Sequence, residues 1–182
     1  MPQFSRIEIL PAQKLQIVKL RPTYYYEFRA ENPKTSKNSG CMTVFQICPD
    51  SDMKTNAIAH ILASMLNGPA FNYLRTDQKL GYTVRMTKES TLNVSHISIF
   101  IQSTKYDPDY VESKVNLFLR AQYKKYSEEG CKASIESNKT SIINHYEQKP
   151  QNLKDRAALD LIQLSKRQMK FDLREKQIEA IR

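Results

Sequence analysis

The stretch FNYLRTDQKLGYTV, residues 71–84, holds more hydrogen-bonding side chains than a structural element needs. Arg75 carries a fixed fork of N–H donors, and Tyr82 adds a weakly acidic hydroxyl donor. Gly81 permits a positive φ, so we expect the chain to turn tightly there from a helix into a strand and to bring both side chains to one exposed corner. Two donors at one corner can hold a peptide backbone or stabilise a developing oxyanion.

A second interpretation of the same residues is purely structural. Arg75 can pair with Asp77 or Glu112 on the surface, while Tyr82 packs as a half-buried aromatic residue of the following strand. The residue types allow both interpretations, and only the relative positions of the side chains can decide between them.

The rest of the chain offers little that matches known catalytic chemistry. His60, His96 and His145 lie more than thirty residues from one another, and the three cysteines form no C-x-x-C pair, so no zinc-binding spacing is present. There is no G-x-S-x-G sequence, no GXXG or RNP-like pattern, and only four glycines. We therefore expect no complete catalytic site and no metal site in this chain.

The first third of the chain is typical of short β-strands. We predict strands at residues 7–10, 14–20, 23–30 and 41–48, separated by prolines and by the polar turn region at residues 31–40. Because the links are too short for crossover helices, we expect an antiparallel meander.

Helical spacing begins at residue 54. It predicts a helix that Gly68 ends and a second, shorter helix that starts at Pro69, followed by strands at residues 82–89 and 93–103. The apolar positions expected to face inward on the first helix are Ile58, Ile61, Leu62, Met65 and Leu66.

The last part of the chain is predicted to be helical. Asp107 caps one helix that runs to Gly130, and residues 131–148 form the next. A third helix has the apolar stripe Leu153, Ala157, Leu161 and Leu164, and a fourth begins with a capping box at Asp172 and Glu175. Together these patterns predict an α+β fold, a largely antiparallel β-sheet with α-helices packed on one face.

Composition bounds the class of protein. At 182 residues, with 40% apolar and 26% charged residues, we expect one globular domain covering residues 1–182. There is no apolar run of about 20 residues and no leader-like N-terminus, so we expect no membrane partner and a cytoplasmic location. The net charge of +9 favours an anionic partner, although the basic residues are dispersed along the chain.

The central stretch resembles the C-terminal half of insulin-degrading enzyme (insulysin), in the pitrilysin group of inverted-motif zinc peptidases. The likeness rests on Phe71-Asn72, Leu74-Arg75-Thr76 and Leu80-Gly81-Tyr82 with Val84, and it continues through FIQSTKYDPDYVESKVNLFL and KFDLREKQIEAIR. It covers nearly the whole chain. The family has a glutamine immediately before Leu-Gly-Tyr, where this chain has Lys79.

This resemblance implies a fourth-domain-like, non-catalytic piece of a multi-domain peptidase. It implies that Arg75 and Tyr82 support substrate binding and the transition state, while zinc is held by His-x-x-Glu-His in the N-terminal half. The implied partners are that N-terminal half and peptide substrates, with a dimer possible for the full-length enzyme; this chain alone is expected to bind no cofactor or nucleic acid and to be inactive. Two alternatives stay open: a stand-alone peptide- or protein-binding module of the same fold, and a basic polyanion binder.

Overall fold

The fold is built on a three-stranded antiparallel sheet. The computed structural model describes residues 17, 19–20, 23–28, 38–165 and 172–182. Its strands are β1 (Ser39–Pro49), β2 (Thr83–Thr91) and β3 (Val94–Ser103), and their spatial order is β1-β3-β2. The short β2–β3 connection makes a hairpin, while β1 is joined to it by a long helical segment and pairs with the other side of β3.

The helices account for most of the remaining described residues. Between β1 and β2 lies α1 (Met53–Ala70), which continues directly into a π-helical segment (Phe71–Asp77). After β3 follow α2 (Pro108–Glu128), α3 (Lys132–Glu147), α4 (Leu153–Ser165) and α5 (Leu173–Ile181).

One face of the sheet forms the core with α1 and α2. Ile97, Ile99 and Ile101 alternate along β3 and are 1–3% exposed, as expected for period-two spacing on a buried sheet face. The helices contribute a set of buried residues to the same cluster: Ala59, Ala63, Leu66 and Ala70 from α1, and Val111, Val115 and Phe118 from α2. Burying each of the larger side chains contributes about 1.5–3 kcal/mol. The predicted α+β architecture is confirmed.

A second, smaller cluster fixes α3 and α5 to α1. Ala57, Ile142 and Ile181 are its buried members. Beside it, the Tyr146 hydroxyl lies 3.1 Å from Nδ1 of His60, and the two rings meet edge to face with centroids 5.7 Å apart. The contact therefore joins α3 to α1 through a polar and an aromatic interaction together.

The prediction for the first third of the chain is only partly correct. The strand at residues 41–48 is confirmed as part of β1, but residues 23–28 are exposed and lie in no strand, so the strand predicted at 23–30 is wrong over its described part. The strand predicted at 7–10, and most of those at 14–20 and of the turn at 31–40, lie outside the described residues. Among the described residues, β1 pairs with β3 and not with residues 23–28, so that part of the expected meander is wrong.

The predicted helix break at Gly68 and Pro69 is wrong. Helix α1 runs through both residues to Ala70. The N–H of Phe71, two residues after the proline, donates to the carbonyls of Asn67 and Gly68. The helical hydrogen bonds therefore continue past Pro69, although the proline itself has no N–H to contribute. The helix then widens into the π segment instead of ending.

The boundaries of the later elements agree with the sequence patterns, but parts of two apolar stripes do not face inward. On α1, Met65 and Leu66 are buried as predicted. Ile58 and Leu62 are 58% and 41% exposed, because α1 approaches the sheet through its alanines instead. On α4, Leu153 and Leu161 are 84% and 64% exposed, and Ala157 and Leu164 are exposed as well.

The predicted capping box of α5 is also wrong, since the Asp172 side chain accepts no capping hydrogen bond. Its carboxylate lies 2.7 Å from the Lys176 ammonium group instead. Among the described residues, no helix combines the length and apolar character needed to cross a membrane.

Stability should fall as the pH drops through the range in which histidine titrates. Burial, followed by the nearby charges of Lys88 and His145, lowers the pKa of His60. The unfolded chain therefore binds a proton at about pH 6.5, where the folded chain does not yet, and folding is progressively disfavoured below that pH. Thermal unfolding from pH 8 to pH 5 should show a smaller pH dependence in His60→Gln. His96→Gln, on the opposite face of the sheet, is the matched control, and equal slopes in both variants would contradict the assignment to His60.

Candidate functional site

Arg75, Tyr82 and Phe71 meet at one corner of the surface, where the π segment gives way to β2. The guanidinium carbon of Arg75 lies 4.9 Å from the centroid of the Tyr82 ring and 4.7 Å from that of the Phe71 ring. Both distances are within the roughly 6 Å over which a cation is attracted to the face of an aromatic ring. The structure thus brings together the two residues that the sequence pattern predicted, and adds a third.

Buried leucines hold this corner from both sides. Leu74 and Leu80 are 0% and 1% exposed and belong to the main core. Arg75, next to Leu74, is partly buried, and Tyr82, two residues after Leu80, is exposed. The Tyr73 ring stacks on Phe118 of α2 with centroids 5.8 Å apart, which fixes the π segment to the helical layer. The functional side chains therefore stand on a rigid base.

The turn between Arg75 and Tyr82 has a specific backbone geometry. The N–H of Gln78 donates to the carbonyl of Tyr73 at 2.9 Å, and the N–H of Leu80 donates to the carbonyl of Leu74 at 3.0 Å. Lys79, between those two donors, has a φ of 50° and takes the left-handed conformation that commonly ends a helix. The positive φ expected at Gly81 is wrong, since Gly81 is not among the residues with a positive φ, and Lys79 reverses the chain instead.

Gly81 is needed for a different reason, which is its close contact with β3. A Cβ atom at this position would lie 1.9 Å from the carbonyl oxygen of Gln102 and 2.8 Å from its carbonyl carbon. Only a residue without a side chain lets the two backbones approach this closely. The contact sets the point at which Tyr82 leaves the turn, and Thr83 then pairs with Gln102 as the first residue of β2.

The hydrogen-bond donors of this corner are accessible. Tyr82 is 85% exposed, so the alternative in which it packs as a half-buried strand residue is wrong. Within the described ranges Arg75 forms no ion pair and no hydrogen bond, and neither Asp77 nor Glu112 comes within pairing distance of it. A guanidinium free of carboxylates keeps its donors and its charge for a ligand.

Phe71 was not identified from the sequence as part of the site. Its spacing from Arg75 places the two residues on the same side of a helical turn, which is the available signal. Because the sequence predicts a helix that starts at Pro69, Phe71 falls in its first turn. An aromatic residue there is more readily interpreted as a packing residue than as part of a site. The Phe71 ring is 39% exposed and belongs to neither core cluster of the described chain.

The resemblance places the zinc ligands outside this chain, and the described side chains can be checked for a metal site of their own. In the part of the chain that the structure describes, no group of three or more histidine, cysteine, aspartate or glutamate side chains is arranged to hold a metal ion. The sequence also has no His-x-x-Glu-His. The residues that the structure describes therefore do not form a zinc site, and the corner itself contributes hydrogen-bond donors and positive charge.

The fold is that of a pitrilysin-type peptidase domain. The solved structure of pitrilysin superposes with a TM-score of 0.67 at 19% identity, covering 81% of this chain and 16% of that one. Residues 61–160, more than half of the 182 residues, match the family described as PQQ synthase PqqF-like, C-terminal lobe domain 4. The chain belongs to that family.

Two curated relatives extend the similarity over almost the whole chain. The Arabidopsis thaliana protein named insulin-degrading enzyme-like 1, peroxisomal, is 24% identical over 178 residues, which is 96% of this chain and 18% of that protein. The Schizosaccharomyces pombe protein mug138, named as a candidate zinc protease, is 28% identical over 158 residues, which is 87% of this chain and 16% of that protein. The chain thus spans less than a fifth of the length of these relatives, and the expected resemblance to the C-terminal part of the peptidase family is confirmed.

Replacing Gly81 should disrupt the corner. In Gly81→Ala the new methyl group meets the backbone of Gln102, which no rotamer change can relieve, so we expect a loss of about 1–3 kcal/mol in the free energy of unfolding. Urea unfolding measures this loss. The control Gly68→Ala, where a Cβ has nothing within 4 Å, should be neutral or slightly stabilising, and equal effects of the two substitutions would refute the close-contact explanation.

Replacing Lys79 by glycine should stabilise the turn. The left-handed conformation costs a side-chain-bearing residue roughly 1–2 kcal/mol, and the entropy lost on ordering a glycine offsets about 0.5–1 kcal/mol of that gain. We expect Lys79→Gly to raise the free energy of unfolding by about 0.5–1 kcal/mol. Lys79→Ala, which keeps the strain while removing the charge, is the control, and it should not produce the same rise.

Proposed function

We propose that this chain is the non-catalytic fourth domain of an insulysin-like zinc metalloendopeptidase and that it supplies Arg75 and Tyr82 to an active site completed by the N-terminal half. The observation that carries the proposal is the exposed corner, where a guanidinium without a carboxylate partner among the described residues lies 4.9 Å from the ring of an exposed tyrosine. Membership of the C-terminal lobe domain 4 family supports the placement in the larger enzyme.

The chemistry of the corner suits a peptide carbonyl. A zinc ion held by the other half of the proposed enzyme would supply Lewis-acid chemistry. Arg75 and Tyr82 donate hydrogen bonds to the substrate backbone and to the oxygen on which negative charge develops. Both groups are mounted on an ordered turn, so little reorganisation is needed when substrate binds.

The charge of the domain is consistent with enclosure of substrate. A net charge of +9 on this chain would complement an acidic wall contributed by the N-terminal half. Complementary potentials favour closure of the two halves and speed the capture of a peptide between them. We therefore expect closure of the two halves and capture of the peptide to weaken as the salt concentration rises.

Removing either donor should slow peptide cleavage by the complete enzyme. We expect Arg75→Ala and Tyr82→Phe each to lower kcat for a fluorogenic peptide by about 10²-fold or more, the loss typical of one oxyanion-stabilising donor. The matched controls are Arg120→Ala and Tyr123→Phe, which alter exposed residues on α2 and should leave kcat unchanged.

Unchanged kcat in both Arg75→Ala and Tyr82→Phe would remove the functional interpretation of the corner. The domain assignment has its own test, since the gene that encodes this chain should also encode His-x-x-Glu-His upstream of Met1. A coding region that lacks this motif, together with peptide binding by the isolated chain, would favour a stand-alone binding module. Salt-dependent binding of nucleic acid would favour a polyanion binder instead.

A further inference from the structure

We infer that Phe71 is a positioning residue that holds the Arg75 guanidinium in place for substrate. Arg75 lies over two aromatic rings, with its guanidinium carbon 4.7 Å from the centroid of Phe71 and 4.9 Å from that of Tyr82. Tyr82 is proposed above to contact substrate itself. Phe71 has no hydroxyl to offer, so its contribution to the corner is the face of its ring. The kinetic part of this inference rests on the proposed function.

The way in which Arg75 is held differs from that of other cations on the surface. Arg85, Arg156 and Arg182 each face a carboxylate, at 3.6 Å, 3.2 Å and 3.0 Å respectively. A carboxylate restrains a guanidinium by occupying its N–H donors and neutralising its charge. Arg75 has no such partner among the described residues, and its contacts there are with aromatic rings.

Aromatic rings restrain a guanidinium without using its donors. A ring face attracts the cation through its quadrupole and packs against its planar surface, while the N–H groups lie around the edge of that plane. Phe71 can therefore restrict the orientation of Arg75 without occupying its N–H donors. A leucine or alanine at position 71 would allow the long arginine side chain to sample other rotamers.

The backbone fixes Phe71 in this role. Its N–H donates to Asn67 and Gly68 at the junction of α1 and the π segment, so the ring projects from an ordered part of the helix. Phe71 and Arg75 are separated by one turn, and Leu74 between them is fully buried. π-Helical segments of this kind are frequently found at functional sites.

Nuclear magnetic resonance of the 182-residue chain tests the contact without the rest of the enzyme. Ring currents should shift the Arg75 side-chain δ-protons and Nε–H upfield in the wild type. Phe71→Leu should reverse a large part of this shift, whereas Phe71→Tyr, which keeps the ring, should retain it. Tyr123→Leu, which removes a remote exposed ring, is the control and should not alter the Arg75 signals. An Arg75 shift unchanged in Phe71→Leu would overturn the inference, whatever the enzyme does.

Kinetics of the complete peptidase test the consequence. We expect Phe71→Leu to lower kcat for a peptide by about 5- to 50-fold, within the loss that a misplaced catalytic group can cause, with a smaller change in KM. Phe71→Tyr should restore kcat to within about twofold of the wild type. In an Arg75→Ala background, Phe71→Leu should cause no further loss, because it acts through Arg75.

Three results would separate the two proposals. Normal kcat in both Phe71→Leu and Arg75→Ala, with the ring-current shift lost, would overturn the proposed function and the kinetic role of Phe71 with it. A loss in Arg75→Ala but not in Phe71→Leu would overturn the positioning role alone. An equal loss from Phe71→Leu with and without Arg75 would also overturn it, because Phe71 would then act on substrate directly. If Phe71→Leu folds poorly, Phe71→Ala also removes the ring and takes its place in each comparison.

Discussion

The close approach of Gly81 to the backbone of β3 is the constraint on which the corner depends. Since a Cβ atom at Gly81 would lie only 1.9 Å from the Gln102 carbonyl oxygen, any side chain there would push the turn away from the sheet. The turn would then deliver Tyr82 to a different place, and the register that begins with Thr83 opposite Gln102 would be strained. A single backbone contact thus determines both the start of β2 and the position of the phenol.

The core converts that local contact into a rigid site. Leu74 and Leu80 are buried on either side of the turn, so the segment between them cannot move without exposing apolar surface. Removing one such side chain typically costs about 2–5 kcal/mol, which is a large part of the total stability of a domain. Strong burial next to exposed polar side chains explains why one short stretch contains both leucines and hydrogen-bonding groups.

The spacing of apolar residues predicts the helices and strands that are stabilised by burial. It fails where local hydrogen bonds determine the backbone conformation. The strand and the helix that the sequence predicts at β3 and α2 are both present, and each has one face buried in the core. The break expected at Gly68-Pro69 is wrong because the ladder continues through Phe71, a rearrangement that no residue type signals. The four apolar residues predicted to face inward on α4 are exposed. Their spacing shows that the helix is amphipathic, but it does not show what packs beside the helix.

The candidate site, like the fold, is predicted from the sequence only in part. The residue types and the resemblance point to Arg75 and Tyr82, but their contact depends on Lys79 in a left-handed conformation and on the absence of a side chain at Gly81. The spacing of Phe71 from Arg75 is visible in the sequence, but the contact between its ring and the guanidinium is seen only in the structure of the π segment. Arg75 forms no ion pair or hydrogen bond within the described ranges, so its donors are open to a ligand. An arginine restrained by aromatic rings in this way is ordered and still has its donors free.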